Sequence, residues 1–289
     1  PLLLGHATTF YEGGFTVEST VRIMLDRKIT NLAASPTAYR MLMSAGEEAM
    51  TPIAQNLRVA SSAGEPLNPE VIRWAERVLH CPLCDHYGQT EVAMVINNHH
   101  ALIHPIKSGA AGLPMPGFKL AILDENLVEQ PPNEPGVLAV SISQSPLYTF
   151  TGYWRAETPS VRGNWYITGD TMMQDEDGYF FFVGRNDDII TSSGYRIGPF
   201  DVESVVMEHS AVAEVAVIGK PDPVRTEIVK AVIVLKSGVE GTEALKVEIQ
   251  QMVRQRLSTH SYPREIDFVA SLPKTPSGKI QRFILRGNV

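Results

Sequence analysis

The spacing of apolar residues in the first 80 positions predicts helices that alternate with strands. Apolar side chains recur at helical spacing over residues 17–29 and 36–46, and residues 57–61 form a short apolar run that ends in a glycine turn. The run Asn68-Pro69-Glu70 predicts the start of another helix, because it places an N-cap residue, a first-turn proline and a first-turn acid in order. Alternation of this kind favours an α/β layer with a largely parallel sheet.

The pattern changes after residue 110, where short runs of β-branched and aromatic residues are separated by proline and glycine turns. Runs of this kind are typical of antiparallel strands joined by tight connections. We expect an antiparallel β subdomain that contains residues 118–124, 136–142, 147–154 and 178–183.

A third pattern begins near Asp187 and predicts a small α+β domain. Pro199 is suited to open one helix, and Thr242 is suited to cap another. Strands are predicted from three apolar runs, at residues 212–218, 228–235 and 266–269. The predicted division is therefore residues 1–186, with an α/β portion (1–115) and a β portion (116–186), followed by residues 187–289.

Composition and charge exclude several classes of protein. A chain of 289 residues suggests two domains, and 44% hydrophobic with 20% charged residues is ordinary globular usage. The 32 acidic residues outnumber the 25 Lys and Arg, so the chain lacks the basic surface of a nucleic-acid binder or of a protein that binds anionic membranes. Its apolar runs are too short to cross a bilayer, and two cysteines are too few for a disulfide-rich scaffold.

The chain begins at Pro1, without methionine and inside the apolar run Leu2-Leu3-Leu4. We expect it to be a segment cut from within a longer domain, so the lack of a targeting peptide here carries little weight.

Five motifs follow one another along the chain, and their order is more specific than any one of them. They are Ser62-Ala63-Gly64-Glu65-Pro66, Tyr87-Gly88-Gln89-Thr90-Glu91, Tyr166-Ile167-Thr168-Gly169-Asp170, Gly184-Arg185-Asn186-Asp187-Asp188 with Ser193-Gly194-Tyr195-Arg196, and Pro273-Lys274-Thr275-Pro276-Ser277-Gly278-Lys279. Together they resemble the core motifs of the adenylate-forming superfamily, which includes acyl- and aryl-CoA synthetases, peptide-synthetase adenylation domains and luciferases. The stretches 192–200, 262–269 and 278–282 are most similar to medium-chain and benzoate-type acyl-CoA synthetases.

The resemblance implies both a fold and a reaction. Residues 1–186 would be the C-terminal portion of a large N-terminal domain, and residues 187–289 a small mobile α+β domain. ATP and a carboxylate would form an acyl-adenylate with loss of pyrophosphate, and the acyl group would then pass to CoA. Because the first step brings a carboxylate to a triphosphate, a metal ion and cationic side chains are expected near the α-phosphate.

The motif at residues 87–91 is implied to bind the nucleotide. Glu91 would hold Mg²⁺, a hard ion that prefers oxygen ligands, and Thr90 would hydrogen-bond to the α-phosphate. Tyr87 would flank the adenine, and Gly88 and Gln89 belong to the same loop.

Other motifs are implied to hold the rest of the nucleotide. Gly64, Glu65 and Pro66 resemble the backbone turn against the adenine edge, and an ordinary strand-to-helix turn is the alternative. Asp170 would accept both ribose hydroxyls.

Two cationic residues are also implied to act at the nucleotide. Arg185 would reach ribose or phosphate oxygens, with a surface ion pair to Asp187 or Asp188 as the alternative. Lys279 resembles the adenylation lysine, which bridges the carboxylate and the α-phosphate, and Lys274 is its nearest competitor for that role.

Asp187 matches the hinge position of the family, about which the small domain would rotate between the two steps. One face of that domain would present Lys279, and the other would present a CoA-binding face. The residues implied to bind CoA are Ser193, Gly194, Tyr195, Arg196, Arg225 and Arg254, of which Arg225 and Arg254 have a solvated surface position as the alternative.

Three features depart from the resemblance or compete with it. Cys81-Pro82-Leu83-Cys84 has the spacing of half a zinc site, but without a second pair we expect buried structural cysteines and no zinc. The Ser/Thr/Gly-rich loop with a lysine that cradles the β- and γ-phosphates in the family is missing, so the isolated chain is expected to be inactive. Val92-Ala93-Met94 suggests an apolar acyl group.

The predicted function is part of an ATP-dependent acid:CoA ligase for an apolar carboxylate, medium-chain or aromatic. Alternatives left open are an adenylation domain that loads a carrier protein and a non-catalytic relative that binds nucleotide or CoA. The expected partners are small molecules, namely a carboxylate, ATP and CoA, with no nucleic acid and no membrane span; an oligomer is possible. A cytoplasmic location is expected, with the mitochondrial matrix as the alternative.

Overall fold

The computed structural model describes residues 5–99, 104–275 and 279–287. The strands of this part of the chain form two sheets. Its helices are α1 (Val17–Asp26), α2 (Pro36–Ser44), α3 (Glu47–Ala54), α4 (Pro69–Trp74), α5 (Pro199–Met207), α6 (Glu243–Arg256) and α7 (Arg282–Gly287).

The larger sheet belongs to the first 185 residues and is parallel only at one end. Its strands are β1 (Asn31–Ala34), β2 (Val59–Ala63), β3 (Leu83–Gln89), β4 (Ala93–Asn97), β5 (Ala110–Pro114), β6 (Leu120–Leu123), β7 (Gly136–Ser141), β8 (Val161–Arg162), β9 (Trp165–Gln174) and β10 (Phe180–Arg185). The spatial order is β1-β2-β3-β4-β5-β10-β9-β7-β6, with β8 on β9. β1, β2 and β3 are parallel, and the other pairs are antiparallel.

The smaller sheet belongs to the C-terminal part of the chain. Its strands are β11 (Ile190–Ser192), β12 (Tyr195–Ile197), β13 (Val212–Asp222), β14 (Thr226–Leu235) and β15 (Glu265–Phe268). β14 pairs with β13 and β11 in antiparallel fashion and with β15 in parallel. α5 and α6 bury Val202, Val206, Ile249 and Val253 against this sheet. The two architectures confirm the expected combination of a mixed α/β portion and a small α+β portion.

The parallel end of the larger sheet is covered by α2, whose buried face joins the strands to the core. Tyr39 is fully buried, and its hydroxyl donates to the carbonyl oxygens of Leu32 at 2.9 Å and Ser61 at 3.1 Å, so one side chain ties β1 to β2. Leu42, one turn further along α2, is also fully buried. This packing fixes the position at which β2 ends.

The strand predicted at residues 147–154 is wrong. These residues have no regular structure and pair with no strand among the described residues. Tyr148 and Phe150 instead pack against the buried cluster of the larger sheet. The aromatic residues of this segment therefore pack on a sheet face. Such packing favours the same residue types as a strand does, although the segment makes no strand hydrogen bonds.

Several predicted elements are confirmed with shifted ends. The helix predicted over residues 17–29 ends at Asp26, and the strand predicted at 57–61 is Val59–Ala63. α4 begins after Asn68 as expected, but the Asn68 side chain makes no capping bond there. Thr242 does cap α6, since its hydroxyl accepts from the Leu245 N–H at 3.2 Å.

Polar contacts join the two parts of the chain through α4 and α5. The Asn68 amide donates to the Ser204 hydroxyl at 3.2 Å, and its oxygen accepts from Arg40 at 3.3 Å. Glu208, which caps the C-terminus of α5, pairs with Arg73 at 3.0 Å and also with Arg256. These contacts hold the small sheet beside the cavity described below.

None of the helices in the described ranges is long and apolar enough to cross a membrane.

Replacement of Leu42 by alanine is expected to lower the free energy of unfolding by about 2–5 kcal/mol, because it leaves a cavity in the core beneath β1 and β2. Met41→Ala is the matched control, because Met41 is 40% exposed on the same helix, and its effect should stay within about 0.5 kcal/mol. Denaturant unfolding measures both variants. Equal losses would show that α2 does not cover the sheet as described.

Candidate nucleotide site

A cavity of about 1680 Å³ lies between the larger sheet and the C-terminal part of the chain. It collects all of the residues predicted to bind the nucleotide and its metal ion. They are Gly64, Glu65, Pro66, Tyr87, Gly88, Gln89, Thr90, Glu91, Asp170, Arg185 and Lys279. The motifs that are far apart in sequence therefore converge on one site.

The turn between β3 and β4 carries Thr90 and Glu91 into the cavity. The pairing of the two strands shifts register at Gly88, and a Cβ there would lie 2.1 Å from the Ala93 carbonyl oxygen. Ala93 has a φ of 57°, which closes the turn in the left-handed region. Gly88 is thus required by close backbone approach, and the turn that it permits presents Glu91.

Asp170 is the polar centre of the site. It is 5% exposed, and its Oδ2 accepts from the Tyr87 hydroxyl at 2.6 Å and from the Gln89 amide at 2.8 Å. The Tyr166 hydroxyl in turn donates to Oε1 of Gln89 at 3.0 Å, which fixes that amide. The first residue of the β3 motif and the last residue of the β9 motif are therefore joined directly.

Burial raises the pKa of the Asp170 carboxyl, while the hydrogen bonds from Tyr87 and Gln89 and the charge of Arg185 oppose the shift. Burial also raises the pKa of Tyr87, and the Asp170 charge adds to that effect, so Tyr87 remains a donor. A carboxylate offers about four acceptor positions, of which Tyr87 and Gln89 use two on Oδ2. Oδ1 keeps acceptor capacity for a ligand that enters the cavity.

Arg185 makes the ion pair with Asp187 that was considered for it, and it also lines the cavity. Its Nη1 lies 3.4 Å from Oδ1 of Asp170, and its Nε lies 3.4 Å from Oδ1 of Asp187. The side chain is 52% exposed and lines the cavity, so its remaining donors can reach a ligand. The ion pair with Asp187 exists together with the approach to Asp170.

The loop after β2 forms another wall of the cavity. Gly64 has a φ of 91°, a backbone conformation that favours glycine. Oε2 of Glu65 accepts from Thr37 at 2.8 Å and from Arg40 at 3.1 Å, and the ion pair with Arg40 is largely buried. The Glu65 side chain thus holds this loop on α2, and the backbone of the loop faces the cavity.

Lys279 reaches the cavity from the C-terminal loop, whereas Lys274 does not. The Lys279 carbonyl accepts from the Thr275 N–H at 2.8 Å, and its own N–H donates to the Thr275 hydroxyl at 3.1 Å. Lys274 is paired with Glu214 at 2.5 Å. The intervening part of the predicted motif, residues 276–278, lies outside the described residues.

Most of the residues predicted to bind CoA lie outside the cavity. Ser193 and Gly194 form a left-handed turn, with φ of 52° and 85°, and a Cβ on Gly194 would meet nothing within 4 Å. Arg225 donates to the Ser193 hydroxyl at 3.1 Å, and Tyr195 stacks on His260 with ring centroids 3.8 Å apart.

Two further members of that predicted set differ in position. Arg254 lies over the ring of Tyr262, 5.8 Å from its centroid, and away from the cavity. Arg196 lines the cavity and lies 3.5 Å from Oδ1 of Asn186. The structure therefore brings Arg196 to the same cavity as Lys279. Ser193 and Gly194 lie in the turn between β11 and β12, Tyr195 begins β12, Arg225 lies in the turn between β13 and β14, and Arg254 lies on α6.

Of the three residues expected to favour an apolar acyl group, Val92 does not line the cavity. Ala93 and Met94 line the cavity, and Met94 is 45% exposed. Val92 is 4% exposed and belongs to the buried cluster of the larger sheet. It lies in the turn that precedes β4, and this turn directs its side chain into the core.

The sequence analysis missed Asp85 and Tyr153. Oδ1 of Asp85 is buried without a hydrogen-bond partner, and burial raises the pKa of its carboxyl group. Asp85 lies two residues before Tyr87, so strand alternation could have placed both on one face. The Tyr153 hydroxyl donates to Oε1 of Glu91 at 2.7 Å, and no sequence signal pointed to it.

Both cysteines are buried and free, as expected of structural residues. Burial raises the pKa of each thiol to about 11, so both are protonated at neutral pH. The described residues contain no group of three or more His, Cys, Asp or Glu side chains that could hold a metal ion.

Comparison with known proteins agrees with this geometry. Residues 1–154 match the AMP-binding enzyme family, and residues 201–279 match the AMP-binding enzyme C-terminal domain. The chain belongs to the AMP-binding enzyme family, and the resemblance drawn from its motifs is confirmed.

Individual relatives are acyl-CoA synthetases and CoA ligases. The chain is 43% identical to the acetyl-coenzyme A synthetase of Bacillus subtilis (strain 168), with 99% of this chain and 50% of that protein covered. It is 59% identical to a solved Brucella canis acyl-CoA synthetase, with a TM-score of 0.67 and coverage of 100% and 53%. It is 30% identical to the anthranilate CoA ligase AuaEII solved with anthranoyl-AMP, with a TM-score of 0.83 and coverage of 94% and 52%. The chain thus spans about half the length of these relatives.

Gly88→Ala is expected to destabilise the protein by about 1–3 kcal/mol, because the new Cβ would overlap a backbone carbonyl that has little room to move. Gly14→Ala is the matched control, because a Cβ there would meet nothing within 4 Å. Thermal unfolding of the two variants tests the close approach at the β3–β4 turn. A Gly88→Ala protein as stable as the control would contradict it.

Proposed function

We propose that this chain forms part of an ATP-dependent acid:CoA ligase that activates an apolar carboxylate, medium-chain or aromatic, as an acyl-adenylate. The observation that carries the proposal is the convergence of Asp170, Glu91 and Lys279 on one cavity from three distant motifs. The carboxylate oxygen of the substrate attacks the α-phosphorus of ATP, and pyrophosphate leaves. The CoA thiol then attacks the acyl carbonyl carbon, and AMP leaves.

The nucleoside is held by the larger sheet. Asp170 accepts from the ribose hydroxyls through the acceptor capacity that Tyr87 and Gln89 leave free. The backbone of Gly64, Glu65 and Pro66 and the ring of Tyr87 enclose the adenine. Asp85 also lines this cavity, beside the residues that enclose the adenine.

The phosphates of ATP are held at the end of the cavity that Thr90, Glu91 and Lys279 line. Thr90 donates its hydroxyl to the α-phosphate, and Lys279 and Arg185 offset the charge that develops there. Mg²⁺ usually binds through one or two carboxylates together with substrate phosphates. The carboxylate of Glu91 and the hydroxyl of Thr90 are oxygen donors of the kind that this ion prefers. When bound, the ion would neutralise charge on the phosphate oxygens.

Transfer to CoA requires a second arrangement of the small domain. Asp187 lies at the junction of β10 and β11 and is the proposed hinge. A rotation there would move Lys279 away from the cavity. It would bring in its place the turn between β11 and β12, which carries Ser193 and Gly194 and is followed by Tyr195. Arg196, Arg225 and Arg254 would then meet the phosphates of CoA, and the small Gly194 turn would leave room for pantetheine.

The exposed side chain of Met94 and the neighbouring Ala93 form an apolar edge of the cavity, which supports an apolar acyl group. We place the protein in the cytoplasm, with the mitochondrial matrix as the alternative.

Lys279→Ala in the full-length protein is expected to lower acid-dependent pyrophosphate release by roughly 10²-fold or more, because it removes the cation at the reacting phosphate. Lys274→Ala is the matched control and should retain most of the activity, since Lys274 pairs with Glu214. Pyrophosphate and AMP are measured over a panel of straight-chain and aromatic acids, with and without CoA.

The panel separates the proposal from its rivals. Turnover that needs CoA supports a CoA ligase. Acid-dependent pyrophosphate release that CoA does not alter would assign the protein to carrier loading instead. No release with any acid would point to a non-catalytic relative.

A further inference from the structure

Among the described residues, the hydrogen bond that the Glu91 carboxylate accepts comes from a distant loop. The Tyr153 hydroxyl donates to its Oε1 at 2.7 Å. The two residues lie 62 positions apart, and both line the nucleotide cavity. We propose that Tyr153 is a positioning residue that holds the Glu91 carboxylate in the orientation needed for the metal–ATP complex, an inference that rests on the proposed function.

Tyr153 is itself held in place. Its N–H donates to the Thr158 hydroxyl at 3.0 Å, and the preceding Gly152 has a φ of 127°. Its ring packs edge-on against Phe150 at 5.2 Å between centroids. The hydroxyl is therefore presented from a fixed backbone and a fixed ring, although the side chain is 45% exposed.

The same aromatic group reaches the ribose end of the site. Phe150 packs edge-on against Tyr166 at 5.8 Å, and the Tyr166 hydroxyl donates to Gln89 at 3.0 Å. Gln89 donates to Asp170 at 2.8 Å. The carboxylates proposed for the metal and for the ribose are thus set by one continuous group of side chains.

Glu91 needs such support because a glutamate has three rotatable bonds and loses rotamer freedom when a ligand fixes it. A rigid tyrosine donor removes part of that freedom before the ligand binds, and preorganisation of this kind lowers the entropy lost on binding. Oε2 of Glu91 is left for the ion.

A competing role for Tyr153 would have the opposite effect, since its hydroxyl would then occupy an oxygen of Glu91 that Mg²⁺ needs. The two effects have opposite signs. A positioning role makes the Tyr153→Phe protein need more Mg²⁺, whereas a competing role makes it need less.

The experiment compares three variants of the full-length protein, namely Tyr153→Phe, Tyr148→Phe and Glu91→Gln. Tyr148→Phe is the matched control, because Tyr148 packs on the same sheet face while its hydroxyl has no hydrogen-bond partner among the described residues. ATP binding is measured by calorimetry at a series of Mg²⁺ concentrations and in EDTA. Thermal unfolding of each variant checks its fold.

Tyr153→Phe is expected to raise the Mg²⁺ concentration at half-saturation by ~3- to 10-fold, which corresponds to the net contribution of one typical hydrogen bond. Binding of ATP in EDTA and the Tyr148→Phe protein should be unchanged. An unchanged or lowered Mg²⁺ requirement in Tyr153→Phe, with Glu91→Gln still impaired, would overturn the inference alone. An unchanged requirement in Glu91→Gln would overturn the metal role of Glu91 and, with it, the inference.

Discussion

The site depends on one buried carboxylate. Asp170 lies at 5% exposure in the middle of β9, and a carboxylate in that position is stable only when donors surround it. Tyr87 and Gln89 supply two hydrogen bonds and Arg185 supplies charge. Because these donors come from the ends of β3 and β10, the requirement to satisfy Asp170 fixes the ends of these two strands against the middle of β9.

That requirement also connects the site to the junction between the two parts of the chain. Arg185 is the last residue of β10, and it contacts both Asp170 and Asp187. The next residue, Asp188, pairs with Arg286 of the C-terminal helix at 2.5 Å. The group that receives the ribose in our proposal is thus three contacts away from the C-terminal segment that contains Lys279. A nucleotide that replaces Asp170 as a partner of Arg185 would therefore also change the ion pair between Arg185 and Asp187.

Much of this arrangement could be predicted from the sequence, for a specific reason. Asp170, Glu91 and Lys279 each lie in a short motif that resembles a core motif of the adenylate-forming superfamily, so the motifs could be found without knowledge of the fold. Strand alternation could also have added Asp85, two positions before Tyr87.

Other parts depended on tertiary contacts. Residues 147–154 have the composition of a strand, but their aromatic rings pack on the sheet and place Tyr153 against a residue 62 positions away. The sequence around Asn68 predicts that its side chain caps α4. In the structure that side chain makes no capping bond and contacts Arg40 and Ser204. Local pattern carries no information on such partners, because each is set by a distant segment.

The most direct test of the account is a crystal structure of the full-length protein with a non-reactive acyl-adenylate analogue. The account predicts that the ribose hydroxyls lie within hydrogen-bond distance of Asp170 and that Nζ of Lys279 lies beside the atom that replaces the α-phosphorus. An adenosine group bound away from Asp170, with Tyr87 and Gln89 still the sole donors to that carboxylate, would contradict it.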